Sequence, residues 1–187
     1  MLKKVLGIFL VTMLFVSTGY ALEVGKVNVP ESITAGGSDL VLNGAGIRSK
    51  FGLKLYVGSL FLPQKSNDAQ AIMAADEPMA IRLNIISGMI TSEKMEDATR
   101  EGFENATKGN IAPIKSEIES FIAVFKEPIK EGDTFDLVYV PAKGVEVYKN
   151  GEAKSVVGNL EFKKALFGIW LCDKPAQKSL KEGMLGL

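Results

Sequence analysis

The chain has 187 residues and a mass of 20.2 kDa, enough for one domain with its own core and no need of metal or disulfide support. Its 22 basic and 22 acidic side chains cancel, His is absent, and Cys172 is its only cysteine. These counts exclude Ser-His-Asp and Cys-His catalysis, His- or Cys-rich zinc sites and an intramolecular disulfide, and they offer no basic stripe for nucleic acid, so neither a metal nor a nucleic-acid partner is expected.

Residues 1–21 begin Met-Leu-Lys-Lys, continue through an apolar run from Val5 to Val16, and end Ser17-Thr18-Gly19-Tyr20-Ala21. The run is about a dozen residues long, short of the ~20 that cross a bilayer, and small residues follow at the positions a signal peptidase inspects. This predicts a secretory signal peptide over 1–21 and a mature domain over 22–187, periplasmic or secreted. Loss of Lys3 and Lys4 leaves that domain two charges negative. No second apolar run of membrane length follows, so no transmembrane segment is expected in the mature chain. A single thiol suits an oxidising compartment because it has no partner there.

Strand patterns come next. Glu23 to Val29 alternates, and Leu40 to Arg48 reads as a strand interrupted by Gly44 and Gly46. Leu53 to Leu62 sets Leu55, Val57 and Phe61 against Tyr56, Leu60 and Leu62, the pattern of a strand covered on both faces. Met79 to Ile86 alternates again. Thr91-Ser92-Glu93-Lys94 then starts a helix capped by Thr91, with Met95, Thr99, Phe103 and Ala106 on one face. After Gly109-Asn110, a second stripe of Ile111, Ile114, Ile118, Ile122 and Phe125 runs to Pro128, and the two helices are expected to form an antiparallel pair on a sheet.

Thr134 to Val140 is the next strand. Val145–Tyr148 and Ala153–Val157 form a hairpin around Asn150-Gly151, a dipeptide suited to two positive φ angles. Asn159 caps a helix from Leu160 to Leu171, and Ala176 to Met184 forms a short tail helix. Strands, helices, strands, helices with hairpin connections predict an α+β domain: an antiparallel sheet with helices on one face.

Gly44-Ala45-Gly46-Ile47-Arg48 is the most informative stretch. Counting back by twos puts Arg48 on the face of Leu40 and Leu42, with Gly44 and Gly46 leaving open space there. An arginine facing an apolar-lined space calls for an anion, which its planar fork grips through two hydrogen bonds, and Tyr56 across the expected hairpin adds a hydroxyl donor. The alternative is a rim arginine that reaches water or pairs with a nearby glutamate. Trp170, with Phe162, Leu166 and Phe167, reads as core, and Cys172 as a small packing residue. No phosphate loop, dinucleotide fingerprint or calcium loop is present, so no cofactor is expected.

Taken in order, Leu42 to Arg48, Leu53 to Leu62, Ser87-Gly88 with Ser92-Glu93-Lys94, Phe121 to Lys126, Gly132-Asp133 leading to Pro141, and Gly168-Ile169-Trp170-Leu171 with Asp173-Lys174-Pro175 resemble the chalcone isomerase fold family, in particular its bacterial exported chalcone-isomerase-like branch. The resemblance covers nearly the whole mature chain. It implies an open-faced β-sandwich, a large antiparallel sheet with helices layered on one face. It also implies three kinds of relative: enzymes that close a chalcone to a flavanone, non-catalytic proteins, and fatty-acid binders whose Arg and Tyr hold the acid's carboxylate. Arg48 matches the family Arg, and Tyr56 falls where the binders carry Tyr and the isomerases Thr. Thr91 stands where the enzymes have Tyr, and Ala98 where they have Asn, so two polar groups of the isomerase site are reduced or gone and no residue is assigned a catalytic role. The expectation is a monomeric, non-catalytic binder of a small amphipathic anion such as a fatty acid, with Arg48, Tyr56 and Thr91 at the ligand. An isomerase or intramolecular lyase of the chalcone isomerase type is the alternative, with Arg48 anchoring an enolate or phenolate. A scaffold whose pocket has collapsed onto Gly44 and Gly46 is the third reading.

Overall fold

The computed structural model describes residues 21–187, so the expected export signal lies outside the described residues except for Ala21. A short hairpin, β1 (Leu22–Val24) and β2 (Val27–Val29), comes first. The alternating segments then pair as β3 (Ser32–Ala35), β4 (Ser38–Lys50), β5 (Leu53–Leu62), β6 (Met79–Ile85), β7 (Thr134–Val140), β8 (Gly144–Lys149) and β9 (Glu152–Val157). These seven lie side by side in chain order, every pair antiparallel. Between β5 and β6 runs α1 (Ala69–Ala74), started by Asp68, whose carboxylate accepts from the Gln70 and Ala71 amides. Between β6 and β7 come α2 (Ser92–Ala106) and α3 (Lys115–Ile122), the latter flanked by 3-10 turns at Ala112–Ile114 and Ala123–Lys126. Last are α4 (Leu160–Leu171), capped by Asn159 as its sequence predicts, and α5 (Lys178–Met184). Neither β3 nor α1 was expected from the sequence. No helix among the described residues is long and apolar enough to cross a membrane.

The α+β expectation holds, and the sheet divides the core in two. On the helix side Leu60, Ile81, Leu83, Phe135 and Leu137 meet Phe103, Phe121, Phe162 and Phe167. Phe103 and Phe162 have ring centroids 5.5 Å apart, and Phe121 meets Phe125 edge-on at 5.5 Å, so aromatic contacts join the helices to one another. On the far side Val57, Phe61, Ala80 and Val138 pack with Leu40, Leu42 and Val29 under the β1–β2 hairpin. That second, smaller cluster is why β5 is apolar on both faces.

Three expectations about β4 and β5 need correction. The ladder slips between Leu42 and Gly44, so Leu42 pairs with Phe61 while Gly44 pairs with Leu60. This bulge at Asn43 reverses the alternation: Leu40 and Leu42 belong to the far core, whereas Gly44, Gly46 and Arg48 face the helices. A second slip next to Arg48 leaves Leu55 out of register, and it packs on the helix side rather than with Val57 and Phe61. Nor do the glycines leave open space. A methyl group on Gly44 would overlap the Gly183 carbonyl, and one on Gly46 would lie 3.2 Å from the Leu180 Cα, because α5 rests directly on the β4 backbone. Asn43 fastens the contact, donating to the Met184 carbonyl at 2.9 Å and accepting from the Ser66 amide at 2.8 Å.

The expected α2–α3 pair is also different, for α2 packs chiefly on α4. A Cβ on Gly102 would come 2.7 Å from Ile169, and one on Gly168 would come 2.8 Å from the Ala106 Cβ. Glycine on each helix brings the two axes close, a signal that apolar periodicity does not carry.

Lys163 on α4 is fully buried. Its ammonium donates to the Ile72, Met73 and Ala75 carbonyls at 2.7, 3.1 and 2.8 Å, closing the end of α1, and lies over the Tyr139 and Phe167 rings. Tyr139 in turn donates to Asp76 at 2.6 Å. Burial pushes the Lys163 amine down from 10.5 to about 8, so its proton costs stability below that pH and the cost is relieved as pH rises towards 10.5. Burial and Asp76 push the Tyr139 phenol up from 10.0 to about 12, so stability falls again once the unfolded phenol begins to ionise. Urea midpoints should therefore rise above pH 8 and turn down above roughly pH 10. Lys163→Met should lack the rise and, with three carbonyls unmet, lose about 2 kcal/mol at about pH 9; a parallel profile for the variant would contradict this.

Candidate functional site

Arg48 and Tyr56 are direct cross-strand partners in the β4–β5 ladder. Because the bulge at Asn43 turns Arg48 towards the helices, both side chains face the layer between sheet and helices. There a cavity of about 400 Å³ opens, lined by both residues and mostly by apolar side chains, among them Leu55, Leu83, Met95, Phe121, Phe125 and Ile169. The tail helix fills the ground beside Gly44 and Gly46, but the cavity survives one pair further along the same two strands. A fully collapsed pocket is therefore not what the chain forms.

Arg48 is half-buried and has no carboxylate within ion-pair distance among the described residues. Its Nη1 donates to the Ser49 carbonyl at 2.7 Å and to Gln177 Oε1 at 3.0 Å. The same Gln177 oxygen accepts from the Ser49 amide at 2.8 Å, and Gln177 Nε2 donates to Ser179 Oγ at 2.7 Å. A neutral amide fixes the guanidinium without neutralising it, which leaves its charge for something else.

Tyr56 is buried, and its hydroxyl oxygen accepts from Trp170 Nε1 at 3.0 Å. That bond uses the oxygen and leaves the phenol proton, which has no acceptor among the described residues. Burial pushes the Tyr56 phenol above its ordinary range, against the opposing pull of the Trp170 bond and the Arg48 charge, so it stays protonated at neutral pH. Arg48 and Tyr56 thus present donors only, at one wall of a mostly apolar space. This arrangement suits an anionic head with an apolar body.

Thr91 is placed elsewhere. Its hydroxyl accepts from the Lys94 amide as the N-cap of α2, it is exposed, and it is not among the residues lining the cavity. Ala98, two helical turns further along, does line the cavity but its side chain brings no polar atom. Sequence reasoning missed two residues here. Trp170 is core, as its sequence context predicts, but a buried indole N–H also needs an acceptor, and asking where that acceptor lies leads to Tyr56. Gln177 sits 129 positions from Arg48, and no spacing in the sequence links them.

The fold and cavity define an open-faced β-sandwich with a ligand-sized space between its large sheet and its helices. The chain belongs to the chalcone isomerase-like family, whose pattern it matches over residues 21–186. No curated protein sequence matches it. Among solved structures it is similar to the Arabidopsis thaliana fatty-acid binding protein AtFAP1, at 21% sequence identity and a TM-score of 0.62, covering 83% of this chain and 96% of that one. That likeness establishes the shared fold.

Proposed function

We propose that the protein is a non-catalytic binder of a small amphipathic anion, with a fatty acid as the best chemical fit. In this reading the carboxylate rests on the Arg48 guanidinium and the Tyr56 hydroxyl, and the chain lies among Leu83, Met95, Phe121 and Phe125. The observation that carries the proposal is a half-buried arginine without a carboxylate partner among the described residues, beside a phenol proton with no acceptor among them, on the wall of a cavity of about 400 Å³. That volume falls within the ~300–1,000 Å³ common for small-molecule sites. Fatty-acid binding by a relative of the same fold supports the reading. The N-terminal pattern supports export to the periplasm or beyond, and the proposed binder acts as a monomer.

The isomerase alternative has less support. Thr91, where the enzymes carry Tyr, spends its hydroxyl on the helix cap, and Ala98 supplies no hydrogen bond. Purified natively, denatured and extracted into organic solvent, the protein should release fatty acid detectable by mass spectrometry. A blank extract, together with no uptake of fatty acid by the stripped protein, would remove the proposal. Accelerated loss of chalcone absorbance would restore the isomerase.

A further inference from the structure

Three hairpins of the large sheet close through two residues that both have positive φ. They are Gly36-Gly37 (58° and 78°), Asn150-Gly151 (53° and 80°) and Phe51-Gly52 (52° and 78°). The first two use the residues that such a turn favours. The third places a bulky aromatic in the left-handed region, where its side chain is strained. Phe51 gains little packing in return, being 92% exposed. Its neighbours on the same rim, Leu53 and Met89, are 49% and 52% exposed, and all three line the mouth of the cavity.

Charge surrounds this apolar tip. Lys50 precedes Phe51 and holds its ammonium 5.7 Å from the ring centroid, Lys54 follows Leu53, and Lys94 donates to the Met89 carbonyl at 3.1 Å. Asp97 and Glu101 line the same cavity one and two turns further along α2. A tip of three apolar side chains is a small wedge, far from the ~800 Å² face that a stable protein partner covers. A bilayer interface, in contrast, takes up isolated aromatic and aliphatic side chains with lysines alongside, and an anionic leaflet attracts those lysines.

We propose that the β4–β5 tip, with Phe51, Leu53 and Met89 as its apolar wedge and Lys50, Lys54 and Lys94 as its cationic collar, docks the cavity mouth onto an anionic lipid bilayer. From the binder reading the proposal takes only the reason for the location: a lipid-like ligand passes between membrane and cavity without crossing bulk water.

The test uses the chain from Ala21 onward, which holds every described element and the whole family match, so the apolar N-terminal segment contributes nothing. The chain should sediment with vesicles of equal parts phosphatidylcholine and phosphatidylglycerol, and poorly with phosphatidylcholine alone. Added salt should weaken the binding, and each of Lys50→Gln and Lys54→Gln should weaken it roughly fivefold. Phe51→Asn is the decisive variant. It installs the dipeptide that the β8–β9 turn already uses, so its melting temperature should equal or exceed wild type while vesicle binding falls tenfold or more. Wild-type-like vesicle binding by Phe51→Asn, equal binding to both vesicle types, or no binding to either would overturn the proposal. So would dimerisation in solution abolished by Phe51→Asn, which would give the tip to a second copy of the chain. No fatty acid is present in the assay: docking without fatty-acid uptake would leave this inference standing and remove the binder reading, and uptake without docking would do the reverse.

Discussion

Arg48→Ala is expected to weaken fatty-acid binding by about 3 kcal/mol, a factor of roughly a hundred, with little change in stability. The size follows from what would be left behind. With Arg48 gone, the Arg48–Tyr56 pair keeps a single neutral donor, so the cost of taking the carboxylate's charge out of water into a mostly apolar cavity is met less fully. Stability should hold because Arg48 makes no ion pair among the described residues, and its two acceptors, the Ser49 carbonyl and Gln177, are only half-buried or already bonded to other groups. Arg48→Lys should fall in between, since an ammonium keeps the charge but not the two-pronged geometry. The readout is built in: Trp170 is the only tryptophan, it lines the cavity, and its indole is bonded to Tyr56, so its fluorescence should report occupancy. Affinity of Arg48→Ala within about twofold of wild type would show that the carboxylate does not sit at Arg48.

Most of the scaffold was legible because it follows from local rules. Asn150-Gly151 forms the hairpin turn, Asn159 and Thr91 cap the helices that follow them, and β5 and β7 keep the bounds that their alternation suggested. The pairing of Arg48 with Tyr56 was legible too, as a tight hairpin read across its turn. What failed was whatever depends on a contact distant in sequence. A one-residue bulge at Asn43 reverses the face of everything before it, and the Asn43 side chain there is held by Met184 and Ser66, both distant in sequence. The role of Gly102 and Gly168 belongs to a helix crossing, not to either helix alone. Gln177 and Trp170 joined the site for the same reason, as groups delivered from the far end of the chain. Gly44 and Gly46 are the most instructive case: the absence of a side chain there makes room for the backbone of α5, not for a ligand.

Gly44→Ala tests that last point and should have a large effect on stability for a single methyl group. The added carbon would overlap the Gly183 carbonyl, lie 2.9 Å from the Gly186 amide nitrogen and lie 3.0 Å from the Met184 carbonyl oxygen. All three are backbone atoms, which cannot swing aside as a side-chain tip can, so relief requires α5 to lift from β4. Lifting α5 uncovers Leu180, Met184 and Leu185, all buried, and parts Asn43 from its acceptor on Met184. Incomplete lifting should still cost about 3–4 kcal/mol. Gly58→Ala is the matched control: its methyl would meet the Leu180 Cδ1 at 3.3 Å and the Met184 sulfur at 3.6 Å, flexible ends that can adjust, so about 1 kcal/mol or less is expected. Urea unfolding measures both, and hydrogen exchange should show the α5 amides losing protection in Gly44→Ala alone. A second consequence reaches the site. Gln177 stands at the start of α5, and a displaced α5 withdraws the amide that orients Arg48, so the folded fraction of Gly44→Ala should also bind fatty acid more weakly. If Gly44→Ala melts like wild type with α5 still protected, the β4–α5 contact is not close-packed and the glycines need another explanation. If it is destabilised but binds normally, Arg48 holds its orientation without Gln177.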